Sequence, residues 1–187
     1  MIVKFNSFNK SILDIHGYSS TPKSDFHPWL CNEIRKNWIN IDCPELPNTN
    51  KPIIDDQVKF ILKNFKNKYN TIIGHSLGGC VAMKLVCKLN YKIDKLILLS
   101  SFTNNNFSKG DKDILKLKNS CNWEFDFEKI KSNCNKIIIL RPYKDKSVTI
   151  DQTKELSRNL NTEITYIKTN KDHGCGEIEQ ELLRFLL

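Results

Sequence analysis

Thr71-Ile72-Ile73-Gly74-His75-Ser76-Leu77-Gly78-Gly79-Cys80-Val81-Ala82 is the stretch on which the fold turns. Its first three residues are β-branched and suit a buried strand. Beyond Gly79, Val81, Leu85 and Leu89 mark one helical stripe, and Ala82 and Val86 a second. A helix that is apolar on more than one side is expected to be central and buried. Between strand and helix lies Gly74-His75-Ser76-Leu77-Gly78, a G-x-S-x-G run in the setting a nucleophile elbow requires. The chain must reverse sharply at Ser76, in a strained conformation. Gly74 and Gly78 carry no Cβ, so strand and helix can close up across the turn. Ser76 Oγ is then expected to stand at the carboxyl end of a sheet. The Leu77 N–H would point out of the first helical turn, where the helix dipole favours negative charge.

The pattern repeats on both sides of this stretch. Ser11 to His16 reads as a strand ending at Gly17, and Phe26, Trp29, Leu30, Ile34 and Trp38 follow at helical spacing. Ile39 to Cys43 is a second short run, closed by Pro44 and Pro47. Val58, Ile61, Leu62 and Phe65 form an amphipathic stripe with Lys outside. Lys95–Ser100 and Lys136–Leu140 are continuous apolar strands. Asp151–Leu160 reads as a helix capped by Asp151, Glu163–Lys168 as a last strand, and Glu177–Leu187 as a terminal helix with Ile178, Leu182, Phe185 and Leu186 inward. Such runs alternating with helices indicate an α/β protein: six mostly parallel strands in one sheet, with helices on both faces. No linker or repeat divides the chain, so residues 1–187 are expected to form one domain. The Asn- and Lys-rich stretch from Phe102 to Asn135 is the candidate for a lid, with one or two short helices.

The composition removes several alternatives. Of 187 residues, 40% are hydrophobic, which excludes a disordered chain. No apolar run reaches the ~18–20 residues of a membrane span. Residues 1–10 lack the basic-then-apolar order of a signal peptide, so a cytoplasmic location is expected. The seven cysteines form no CxxC pair and are read as reduced thiols. The formal charge is +8, with Lys supplying 25 of the 29 basic residues. Together Lys, Asn and Ile make up about a third of the chain, a bias that AT-rich codons produce. Lys59, Lys63 and Lys66 share one helical face, and Lys84 and Lys88 another. They read as solvated faces rather than a binding patch, and no nucleic-acid partner is expected.

Three segments add to the elbow. Ile15-His16-Gly17-Tyr18 ends the first strand, where the Tyr18 N–H can face that of Leu77 across an oxyanion pocket; His16 reads as a hydrogen-bonding residue of that turn. Asp145 follows a late strand, in Pro142-Tyr143-Lys144-Asp145-Lys146-Ser147-Val148, where a carboxylate that orients an imidazole should sit. Lys144 and Lys146 would favour its ionised form if close to it. His173, in Asp172-His173-Gly174-Cys175-Gly176, comes after the last strand and completes the order Ser, Asp, His. His27 is expected at the surface or behind the site, and His75 behind the nucleophile. Cys175 is at most a modifiable thiol. No Lys-Ser/Thr pair follows the glycines, so a phosphate loop is not indicated. No His pair falls at i, i+4, so neither a metal site nor a cofactor is expected.

In these pieces the chain resembles the small α/β-hydrolases grouped with the retinoblastoma-binding protein serine hydrolase and its bacterial relatives. The matching segments are Ile15-His16-Gly17-Tyr18 with Pro22 and His27-Pro28-Trp29-Leu30; Pro44-Glu45-Leu46-Pro47-Asn48 with Pro52; Gly74–Gly79; Asp145 with Val148; and His173-Gly174. The resemblance implies a minimal α/β-hydrolase three-layer sandwich without a large cap, and Ser76, Asp145 and His173 as the catalytic triad. It implies a serine hydrolase, carboxylesterase-like, working through an acyl-enzyme on a small or medium acyl ester, with thioesters and amides as related substrates. A non-catalytic protein-interaction or regulatory module on the same fold is the alternative.

Overall fold

Strands β1 (Ser11–Ile15), β2 (Asn40–Asp42), β3 (Thr71–His75), β4 (Ile93–Leu99), β5 (Cys134–Pro142) and β6 (Ile164–Ile167) build one sheet, in the order β2-β1-β3-β4-β5-β6. The computed structural model describes residues 10–106, 114–169 and 171–187. The leader reading over residues 1–9 and the middle of the lid candidate, residues 107–113, lie outside the described residues. Every strand pairing is parallel. The helices are α1 (His27–Lys36), α2 (Ile54–Asn64), α3 (Leu77–Val86), α4 (Ile114–Lys118), α5 (Phe127–Ser132), α6 (Ile150–Leu160) and α7 (Gln180–Leu183).

Strand parity sorts the core into two layers, because successive side chains point to opposite faces. Leu13, Ile15, Ile72, Leu96, Leu98 and Ile139 pack with Val58 and Ile61 of α2, Val81 and Leu85 of α3, and Leu156 of α6. Ile12, Ile73, Ile97, Leu99, Ile138 and Leu140 pack with Leu30 and Ile34 of α1 and with Leu182 and Leu186 around α7. This is the three-layer α/β sandwich. Asp14 shares the parity of Ile12 and is fully buried, so a carboxylate lies on the α1 face of the sheet.

The register brings the strand ends level. Ile15 pairs with Gly74, His75 with Leu99, and Leu99 with Leu140. The residues that follow each strand therefore emerge along one edge, where open parallel sheets place their sites.

Several local expectations change. Trp38 is not on α1; the helix ends at Lys36, Trp38 takes a left-handed φ of 58°, and its side chain is 97% exposed. The cap of α6 is Thr149 rather than Asp151, with the Thr149 and Gln152 side chains each bonding the other's backbone N–H in a capping box. The terminal helix is a single turn, and Ile178 lies outside it, 40% exposed. Leu62 on α2 faces outward while Val58 and Ile61 are buried. Lys84 is not a solvated lysine: its ammonium donates to Asn122 at 2.9 Å and lies 3.9 Å from Asp55. In the lid candidate, α4 and α5 are the short helices, and Asn104 ties its start to Glu155 of α6 at 2.7 Å.

Candidate active site

Ser76 sits between β3 and α3 with φ 56° and ψ −124°, a conformation that costs an L-residue about 1–3 kcal/mol. The surroundings hold it there. Its N–H donates to the Leu99 carbonyl at 2.9 Å, and its carbonyl accepts from Gly79 N–H at 3.0 Å. A Cβ on Gly74 would lie 2.6 Å from the Gly78 carbonyl oxygen, and one on Gly78 would strike the carbonyls of Ile15 and His16. Both elbow glycines are thus required by close approach. A third was not singled out from sequence: Gly79 lies against the Ser101 side chain, whose hydroxyl donates to the Gly74 carbonyl at 3.2 Å.

The turn after β1 reaches the same point. A Cβ on Gly17 would be 3.0 Å from Ser76 Cβ and 3.6 Å from Ser76 Oγ, so this turn runs directly beside the serine. Tyr18 follows it, and Leu77 opens α3. His16 is buried behind the turn. Its Nε2 accepts from Leu46 N–H at 3.3 Å, which puts the ring proton on Nδ1, 3.3 Å from the Gly17 carbonyl. Burial lowers its pKa, so the ring stays neutral and braces the turn.

Asp145 and His173 meet across two loops. His173 Nδ1 is 3.0 Å from Asp145 Oδ1, which also accepts from the N–H groups of Ser147 at 3.1 Å and Val148 at 2.9 Å. Burial works against the Asp145 charge, yet His173 and the Val148 N–H hold its pKa below the ordinary 3.8. Ser100 stands beside it and favours the ionised form, although neither Ser100 Oγ nor Asp145 Oδ2 completes a hydrogen bond. The cation behind this carboxylate is Arg141, not Lys144 or Lys146. Arg141 is buried, lies 4.0 Å from Asp145 Oδ2, and donates to Thr153 Oγ1 at 2.7 Å and to the Asp145 carbonyl at 3.3 Å. Lys146 turns to Asp172 instead: its N–H donates to Asp172 Oδ1 at 2.8 Å, tying the Asp145 loop to the His173 loop.

His173 itself has a positive φ of 63°, followed by Gly174 at 69°. Glycine alone adopts the second at little cost, and it lies against Leu99. With Nδ1 committed to Asp145, Nε2 is the nitrogen available to a substrate or to Ser76. Among the described residues no hydrogen bond joins Ser76 Oγ to His173, a link that commonly tightens only around substrate.

The remaining histidines lie behind these groups. His75 is buried, its pKa is lowered well below 6.5 by burial, and its Nε2 donates to the His173 carbonyl at 2.9 Å. It steadies the His173 loop from beneath Ser76. His27 is not a surface residue. It is fully buried on α1, with Nδ1 2.7 Å from Asp14 Oδ2. Cys175 is no activated thiol, because burial pushes its pKa up to about 12. All seven cysteines are free. The separation of Asp14, His27 and Cys43 along the chain hid their proximity: one donor atom from each lies within 4.8 Å of the others.

The chain from residue 15 to residue 179 matches the family model described as alpha/beta hydrolase fold. No match was found among curated proteins. Among solved structures it is similar to the ydeN gene product of B. subtilis, at 18% identity over 95% of this chain and 96% of that one, with a TM-score of 0.81. A carboxylesterase of the thaumarchaeon Nitrososphaera gargenis superposes with a TM-score of 0.72 at 13% identity, covering 96% and 89%. Alpha/beta hydrolase domain-containing protein 10 from mouse does so with a TM-score of 0.66 at 12% identity, covering 94% and 86%.

Proposed function

The chain belongs to the alpha/beta hydrolase fold family, and on that premise we propose that it is a serine hydrolase cleaving esters of small or medium acyl groups. The observation that carries this is the 3.0 Å contact of His173 with Asp145, in loops packed around a serine held at positive φ. Ser76 Oγ attacks the substrate carbonyl while His173 Nε2 takes its proton. Asp145 holds Nδ1–H, keeps the ring in the working tautomer and stabilises the imidazolium. The N–H groups of Leu77 and Tyr18 receive the oxyanion, at the helix N-terminus and beside the Gly17 turn. His173 then returns the proton to the departing alcohol, leaving an acyl-Ser76. Water, deprotonated by the same nitrogen, releases the acid and restores Ser76. Thioesters and amides enter by the same steps with a thiol or amine leaving.

The similarity to the ydeN product over almost the full length of both chains supports a minimal hydrolase fold without a large cap; the Pro44–Asn48 and His27–Leu30 segments are what support placing the chain among the small hydrolases grouped with the retinoblastoma-binding protein serine hydrolase. The hydrolase fold is consistent with a small-molecule acyl substrate. Fluorophosphonate labelling tests the proposal. The wild type is expected to label, Ser76→Ala to lose all labelling and ester turnover, and Asp145→Asn to lose about 10⁴ in kcat. A folded wild type that neither labels nor turns over short p-nitrophenyl esters would instead be a protein-interaction module.

A further inference from the structure

Strand parity and helix spacing bring three possible metal ligands, Asp14, His27 and Cys43, together at the β2 edge of the sheet, away from the serine site, with Cys31 on the same face of α1. Asp14 projects from β1 toward α1, where His27 and Cys31 stand at i and i+4 on one helical face. Cys43 comes one residue after β2. Because Leu13 pairs with Asp42 in parallel register, the next positions, Asp14 and Cys43, are neighbours across the strands. Asp14 Oδ2 and His27 Nδ1 are 2.7 Å apart, and a donor atom from each of Asp14, His27 and Cys43 lies within 4.8 Å of the others. Cys31, one turn further along α1, is the nearest further thiol to Cys43 on this face. Asp14 and His27 are completely buried, and Cys43 is partly exposed, which leaves a way in from solvent.

A carboxylate, an imidazole and two thiols are more polar chemistry than this layer of the core needs. Around them pack Phe26, Leu30, Ile34 and Ile41. The set also leaves a carboxylate oxygen unsatisfied: Asp14 Oδ1 is buried with no hydrogen-bond partner. Burying such an atom is unfavourable unless something compensates.

We infer that Asp14, His27 and Cys43, with Cys31 turning in from the same face of α1 as the fourth ligand, form a closed tetrahedral site for a borderline-soft divalent ion of the Zn²⁺ type. Two sulfurs, one nitrogen and one oxygen are donors that zinc accepts, and four protein ligands leave no position open for substrate, so the role is structural. Binding replaces protons by metal. Both thiol protons and the proton shared by His27 and Asp14 leave to solvent, and the His27–Asp14 contact opens to roughly 3.4 Å, the edge of a tetrahedron with bonds of about 2.1 Å. The bound set, two thiolates and a carboxylate around a dication, carries one net negative charge. Arg35 supplies the counter-charge: it stands one turn after Cys31 on α1, and its guanidinium is anchored on the Ile41 carbonyl at 3.3 Å. The ion would pin α1 and the chain after β2 to the edge of β1.

Co²⁺ titration of the full chain, stripped of metal and kept reduced, tests this. One equivalent is expected to produce thiolate-to-cobalt charge-transfer absorption and tetrahedral d–d bands, both removed by Zn²⁺. Cys43→Ser and His27→Gln should each weaken Co²⁺ affinity at least tenfold, whereas Ser76→Ala should leave it unchanged. Should either ligand variant fail to fold, the native chain still decides. Zn²⁺ should slow alkylation of Cys31 and Cys43 at least tenfold without protecting Cys87, which is on the opposite layer. Absence of the bands, binding unaffected by the ligand substitutions, or alkylation of Cys31 and Cys43 that Zn²⁺ does not slow would each overturn the site.

Discussion

Asp14 and His27 face each other with no solvent, and this makes them the residues through which pH should act on stability. Burial opposes the His27 charge, but the Asp14 carboxylate overcomes it and holds the His27 pKa above 6.5. A group whose pKa is raised on folding stabilises the fold fully below its unfolded value. That contribution is lost as pH climbs through the folded value. Chelator-treated protein is therefore expected to lose stability to urea as pH rises above about 6.5, a slope that Asp14→Leu removes. The single substitution should cost about 3–5 kcal/mol by leaving His27 buried without its partner, and Asp14→Leu with His27→Phe considerably less. Asp145 has the opposite sign. Its lowered pKa gives stability above 3.8 that disappears as pH falls through the folded value. Of these residues, Asp145 was legible in the sequence because it follows a strand and precedes a histidine loop. Asp14 was not, since a lone acid in an apolar strand shows no partner until α1 is folded over it. Arg141 was missed for a similar reason: it reads as the polar end of a strand, and only the packing of α6 puts Thr153 and the Asp145 loop around it.

At the level of elements, what was legible is what depends on neighbours in sequence. The strand-elbow-helix stretch, the β-branched runs and the buried character of α3 follow from local pattern, and each appears at its expected place. Helix ends were less readable. Thr149 competes with Asp151 as a cap, and reciprocal bonding with Gln152 decides for Thr149. Thr149→Ala should cost about 1 kcal/mol and lower the melting temperature by about 2–4 °C. It should leave the Ser76 chemistry largely intact, because Asp145 is held by its own loop amides. Calorimetry alongside ester turnover checks both halves. The terminal helix failed as a reading because Glu177 to Leu187 has the right period but too little sheet to cover: Leu182 and Leu186 satisfy the edge, and Ile178 is left outside.

Across the whole molecule the parallel order β2-β1-β3-β4-β5-β6 places β4 between two full-length partners. Leu96 to Leu99 are fully buried there. Their amides are expected to exchange with solvent only through global unfolding, while those of α4 and α7, each about one turn long, exchange earliest; native-state hydrogen exchange checks this ranking. The layering was readable from alternating runs, but the strand order was not, because parallel neighbours are set by crossovers rather than by local pattern. Part of the +8 charge is used internally once the chain is folded: Lys84 of α3 lies 3.9 Å from Asp55 of α2 and is largely covered. The histidines show the same condensation. The chain has only four, and the ring centroids run from His16 to His27 at 6.2 Å, to His75 at 6.0 Å and on to His173 at 5.1 Å. Isotopic labelling of histidine alone would therefore yield an imidazole spectrum without background. Its signals would report from His173 beside Asp145, through His75, to His27 beside Asp14, with His16 reading the Gly17 turn, so the proposed hydrolase site and the proposed ion site would each have its own imidazole reporter.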